Sequence, residues 1–136
     1  MANLVFVDLD LPPPCRRLEL PSLFAIGENP DALSWVPFKE GVDIYRLYGD
    51  GISGPTAALI RFHPGGKVPL HEHLGYEHIL VLSGSQEDNM GTAQAGALII
   101  TPPGTHHRVI SEKGCIVLAI YEKPVRFLED SALSHY

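Results

Sequence analysis

Short apolar runs recur from Val36 onward, each closed by glycine or proline. They are Val42–Tyr48, Thr56–Phe62, Val68–His73, Tyr76–Ser83, Ala97–Thr101, His106–Ile110 and Cys115–Tyr121. The breaks fall at Gly49-Asp50-Gly51, Gly54-Pro55, Pro64-Gly65-Gly66, Gly84, Asn89-Met90-Gly91, Pro102-Pro103-Gly104 and Lys113-Gly114. No long stripe of helical period competes with these runs. Strand-length segments between turn residues predict an all-β sandwich or barrel. No fixed-period repeat or low-complexity tract is present.

The first 35 residues read differently. Asn3–Leu11 alternates Val5, Val7 and Leu9 with Phe6, Asp8 and Asp10, which suits a short strand. Pro12-Pro13-Pro14 then enforces an extended break. Cys15–Trp35 is weakly patterned, with a turn at Asn29-Pro30-Asp31. The expected organisation is an N-terminal extension over 1–35, a barrel over 36–128 and a tail over 129–136. The extension's strand is expected to add to a sheet edge, in its own subunit or a neighbour.

Composition narrows the classes. A chain of 136 residues suits one domain with a sizeable core. Hydrophobic residues make up 45% and charged residues 19%, which argues against wholesale disorder. The net charge is −6 and Arg16-Arg17 is the only basic pair that stands out, so no nucleic acid partner is expected. No apolar run is long enough to span a membrane. Asp8 and Asp10 interrupt the apolar start, unlike a secretory signal. Cys15 and Cys115 make no disulfide framework, and a reduced, cytoplasmic protein is expected.

The candidate chemistry lies in two segments: Gly65-x5-His71-x-His73-x3-Glu77-x6-Gly84, then Gly96-x5-Pro102-x-Gly104-x2-His107. Residues 71 and 73 share one face of a strand. Leu74-Gly75-Tyr76 turns the chain, and Glu77 starts a strand whose Ile79 and Val81 share its face. Glu77 is thus a carboxylate aimed at a core, which is costly unless a cation compensates it. His107 opens a later strand with Val109 on its side. Three imidazoles and a carboxylate suit a borderline divalent metal.

These segments resemble the two motifs of the cupin superfamily. The first matches at every fixed position. The second departs once, at Ser111, where the motif usually ends in Asn. The resemblance implies a double-stranded β-helix, or jelly-roll barrel, with His71, His73, Glu77 and His107 as ligands to one divalent metal ion such as Fe, Zn, Mn or Ni. Residues 35–128 are further similar to ChrR-type cupins, through Tyr76–Leu82, Gly84-Ser85-Gln86-Glu87-Asp88, Pro102–Thr105, His107 and Gly114-Cys115. That group includes the C-terminal cupin of zinc-dependent anti-sigma factors, which also carry a helical zinc-binding N-terminal domain. Residues 1–35 do not resemble that domain, so a sigma-factor-binding role is not expected. The superfamily resemblance also implies a homodimer.

The remaining polar residues have plainer readings. His78 and His106 adjoin ligand candidates and should face away from the metal. His63 and His135 are expected in solvent, as are Glu87 and Asp88 in the loop between the motifs. Tyr45, Tyr48, Arg61 and Tyr76 are expected in the core or at the rim. Cys115 heads an apolar strand and should be buried and inert.

Three imidazoles and a carboxylate on an octahedral ion leave up to two open positions. A metal-dependent enzyme of dioxygenase or isomerase type, acting on a small organic molecule, is the leading expectation, through the metal rather than a named catalytic side chain. The alternative is a non-catalytic zinc-binding ligand or redox sensor related to the anti-sigma cupin. A purely structural barrel would not need the full donor set.

Overall fold

The computed structural model describes residues 6–7 and 17–128. Twelve strands lie among them. β1 (Phe6–Val7) pairs antiparallel with β2 (Leu18–Glu19), and the rest of the strand expected over Asn3–Leu11 lies outside the described residues, as do Cys15 and His135. Two short 3-10 helices follow, Leu23–Glu28 and Pro30–Ala32. Then come β3 (Val36–Lys39), β4 (Val42–Tyr48), β5 (Thr56–Phe62), β6 (Gly66–Glu72), β7 (Glu77–Asp88), β8 (Gly91–Gln94), β9 (Leu98–Thr101), β10 (His106–Ser111), β11 (Cys115–Tyr121) and β12 (Arg126–Phe127). Among the described residues no helix is long and apolar enough to cross a membrane.

β3 to β12 form one antiparallel ten-stranded sheet, in the order β12-β6-β10-β7-β11-β5-β4-β3, with β8 and β9 each paired to β7 off this path. The sheet curls into the expected jelly roll. Its two ends meet where the Lys39 ammonium of β3 stands 4.1 Å from the ring centroid of Phe127 on β12 and 5.7 Å from that of Phe38. A cation over a ring face lets a lysine that is only 4% exposed close this flank.

Alternation assigns the faces. Ile44 on β4, Ala58 and Phe62 on β5, Ile79 and Val81 on β7, Val109 on β10, and Val117 and Ala119 on β11 fill the interior. The opposite positions Leu59, Leu82 and Ile116 pack outward against Ile26 and Leu33 of the 3-10 segment. Both faces of these central strands are therefore buried, which is why their sequence reads as continuous apolar runs. The Arg61 guanidinium fastens the outer layer: it lies 4.9 Å from the Trp35 ring centroid and pairs with Asp31 at 2.8 Å and Asp43 at 3.0 Å.

β7 serves both walls. Val81 pairs with Val117 and Ser83 with Ile116, so Leu82 is an extra residue, a bulge. Gly84 follows at φ 74°, and beyond it the strand pairs with β8. A Cβ at Gly84 would stand inside van der Waals contact of the Gly114 carbonyl oxygen and also meet Cys115 Cα. The strand bends here because only glycine fits.

The stretch expected as a loop from Ser85 to Ala95 is instead the rest of β7 and the hairpin to β8. Alternation continues through Gln86 and Asp88, a continuation hidden by the charged letters. We predict that Gly84→Ala lowers unfolding stability by about 3 kcal/mol, from the left-handed backbone and the clash together. Chemical denaturation checks this; an unchanged midpoint would show that the bend accommodates a side chain.

Candidate metal centre

β6 and β10 set the site. His71 and His107 are paired across the ladder, and His73 lies just past the end of β6, held by its own backbone N–H to the Thr105 carbonyl at 2.9 Å. The residues between β9 and β10 return that hold, because Gly104 donates to the His73 carbonyl at 2.8 Å. The three rings converge edge to face: centroids are 5.1 Å apart for His71 and His73, and 4.7 Å for each pair with His107. One donor atom from each of His71, His73 and His107 lies within 4.8 Å of the others. All three residues are buried.

Each ring is pinned through Nδ1. His71 Nδ1 lies 2.7 Å from the Pro69 carbonyl oxygen, which can only accept, so that nitrogen carries the proton. His73 Nδ1 lies 2.8 Å from Thr105 Oγ1, whose own hydrogen goes to the Pro102 carbonyl at 2.8 Å. His107 Nδ1 lies 3.0 Å from Asp88 Oδ2. Proton on Nδ1 leaves a lone pair on Nε2 in every case. Burial pushes the His71 imidazole down to about 4, against a smaller upward pull from the Pro69 carbonyl, so the ring is a neutral donor at physiological pH.

Glu77 starts β7 on the inner face and is 8% exposed. Its Oε1 lies 3.0 Å from His73 Nε2, yet that nitrogen is buried and makes no hydrogen bond. With the ring proton on Nδ1, two lone-pair atoms face each other. A cation beside both, or a proton shared between them, relieves such a pair. The donor set therefore fits a metal. The structure brings the three histidines into one group, with Glu77 against His73 but outside the mutual 4.8 Å cluster.

The other sequence expectations fall as follows. His106 is exposed, near Glu72 at 3.9 Å, and His78 is exposed on the far side of its strand. His63 is half exposed and touches Asp43 at 2.7 Å. Arg61 and Tyr45 belong to the outer layer with Trp35, and Tyr48 and Tyr76 are largely exposed. Cys115 is buried and burial pushes its thiol up to about 11, so it is inert at neutral pH.

Asp88 corrects its expectation. It is not a solvated loop carboxylate: Oδ2 faces His107 and Oδ1 accepts the Met90 N–H at 2.8 Å, with the side chain 15% exposed. Thr105 was likewise a motif letter without a role. Period-2 spacing from Gln86 to Asp88 is the signal that would have found the first.

Two spaces adjoin the rings. Inside the barrel a cavity of about 40 Å³ is lined by His71, Glu77, Gln86, His107 and apolar side chains such as Phe62 and Val117. On the flank between β8 and β9 a groove of about 570 Å³ reaches His73 and His107 from outside. Gln86, 5% exposed, lines both.

Comparison with known proteins agrees with this architecture. The ChrR Cupin-like domain family matches residues 25–125. The anti-sigma-E factor ChrR of Cereibacter sphaeroides is 32% identical over 123 residues, which cover 85% of this chain and 56% of that protein. The chain thus spans little more than half the length of that curated relative. Among solved structures, ChrR in complex with SigE from Rhodobacter sphaeroides superposes with a TM-score of 0.63 at 28% identity, over 76% of this chain and 57% of that one. An acetylacetone dioxygenase from Acinetobacter johnsonii gives 0.64 at 19% identity, over 74% of this chain and 78% of that one, a likeness of fold alone.

Because the Nδ1 partners orient the rings, their removal should weaken metal binding without unfolding the barrel. We predict that Asp88→Ala and Thr105→Val each lower metal affinity about 10- to 100-fold. Competition against a chromogenic chelator reads this directly. Unchanged affinity in both would show that the rings are oriented by packing alone.

Proposed function

The chain belongs to the ChrR Cupin-like domain family, and we propose that it is a metal-dependent enzyme of dioxygenase or isomerase type acting on a small organic molecule. His71, His73 and His107 hold the ion in this reading, with Glu77 as the fourth ligand. The observation that carries it is the convergence of three pinned imidazoles beside a groove of about 570 Å³. A site built only for stability would be closed.

A bound divalent ion supplies Lewis acidity toward a substrate oxygen and, if redox-active, one-electron chemistry. The chain's own residues do the rest. Pro69, Thr105 and Asp88 hold the ring protons on Nδ1 and keep Nε2 free. Glu77 lowers the net charge of the site. Phe127, 5.7 Å from the His71 ring, and the apolar interior keep bulk water from the inner side.

The second reading is a zinc-binding sensor without turnover. It is supported by the 32% identity to an anti-sigma factor. In that reading the same residues hold zinc, and ligand binding is reported through a protein partner.

We predict that His71→Ala abolishes turnover in oxygen-uptake and isomerisation assays over a panel of small carbonyl and enol compounds, with the circular dichroism spectrum unchanged. Loss of the folded spectrum instead would mark the metal as structural. Zinc-loaded wild type that turns over nothing would favour the sensor.

A further inference from the structure

The two spaces beside the imidazoles differ by more than tenfold in volume, about 40 Å³ against about 570 Å³. The inner one, at about 40 Å³, is the tighter of the two. The outer one lies in the usual range of small-molecule sites. The β8–β9 flank therefore offers the greater room for an organic ligand's body.

The walls of the groove define the ligand's chemistry. Met90, Ala93, Ile99, Ile100 and Pro102 are apolar. Among the described residues no lysine or arginine lines it. Its sole carboxylate among the described residues is Asp88, engaged at both oxygens, by His107 and by the Met90 N–H. His106, half exposed on the groove wall, lies 3.9 Å from Glu72. A phosphate, sulfate or second carboxylate on the ligand would find no cation there, and a charge moved out of water unpaired is heavily penalised. A ligand cation would find no free anion.

We propose that the β8–β9 groove is the ligand site and selects a compact molecule with an uncharged, apolar body and its oxygen donors at the end facing His73 and His107. Gln86, shared by both spaces, directs a hydrogen bond to that polar end. Met90, 87% exposed at the hairpin tip, is the outer wall. The proposal rests on the metal-site reading, because the oxygen end is placed by the same histidines.

The test uses zinc-loaded full-length protein and three hydroxamic acids as probes, followed by calorimetry. Benzohydroxamic acid should bind about tenfold or more tightly than acetohydroxamic acid, from burial of its ring. 4-Carboxybenzohydroxamic acid should lose that gain. Met90→Lys, an exposed change at the rim, should restore it for the carboxylated probe. Ala93→Phe, which fills the groove wall, should remove the phenyl preference.

Equal binding of the phenyl and methyl probes by protein that holds zinc would overturn the groove proposal and leave the metal reading standing. No effect of Met90→Lys on the carboxylated probe would overturn it as well. Protein that takes up no zinc and binds none of the probes would overturn both.

Discussion

Three imidazole rings packed edge to face in an apolar barrel must be aimed by something other than water. The Nδ1 contacts meet that need, and much of the fold serves them. Pro69 is on the same strand as His71, two residues before it. Thr105 stands before β10 and ties His73 to the opposite side through both backbone and side chain. Asp88 ends β7, a strand that reaches His107 only because it bends at Leu82 and Gly84. The jelly roll is thus a device for bringing a carbonyl, a hydroxyl and a carboxylate behind three rings.

Much of this was legible in the sequence, and the failures have physical causes. The bounds of β4, β5 and β11 follow directly from runs closed by Gly and Pro. The parity of His71 and His73, and of Glu77 with Ile79 and Val81, survives folding because strand alternation is local. Asp88 was misread because a charged residue beside Asn89-Met90-Gly91 looks like a turn. Its pairing in the β7–β8 hairpin and its distant contact with His107 make it part of a buried network. Lys39 offered no warning either, since the ring that covers it lies 88 positions later on β12. The short strands β3, β8 and β12 exist by pairing rather than by pattern.

The barrel is asymmetric about its site. On one flank Lys39 stands over two phenylalanine rings. The other stays open because β8 and β9 pair only with β7 and leave a groove between them. The outer face of the central strands is covered by the 3-10 segment, which Arg61 clamps through Trp35, Asp31 and Asp43. Asp88 joins the groove to the site: one oxygen fixes the hairpin tip at Met90 and the other fixes His107. Occupancy of the groove and orientation of a donor ring therefore share one carboxylate. That linkage is compatible with an enzyme that binds substrate there and with a sensor that responds to it.

The account stands or falls on the ion. The decisive measurement is the metal content per chain, by mass spectrometry of protein purified without chelator or affinity nickel, for wild type and for a chain with His71, His73 and His107 all changed to alanine. The account predicts close to one divalent ion per wild-type chain and none in the altered chain. Wild type that is metal-free and refuses added iron, zinc, manganese and nickel would contradict it. The facing lone pairs of His73 and Glu77 would then need another partner.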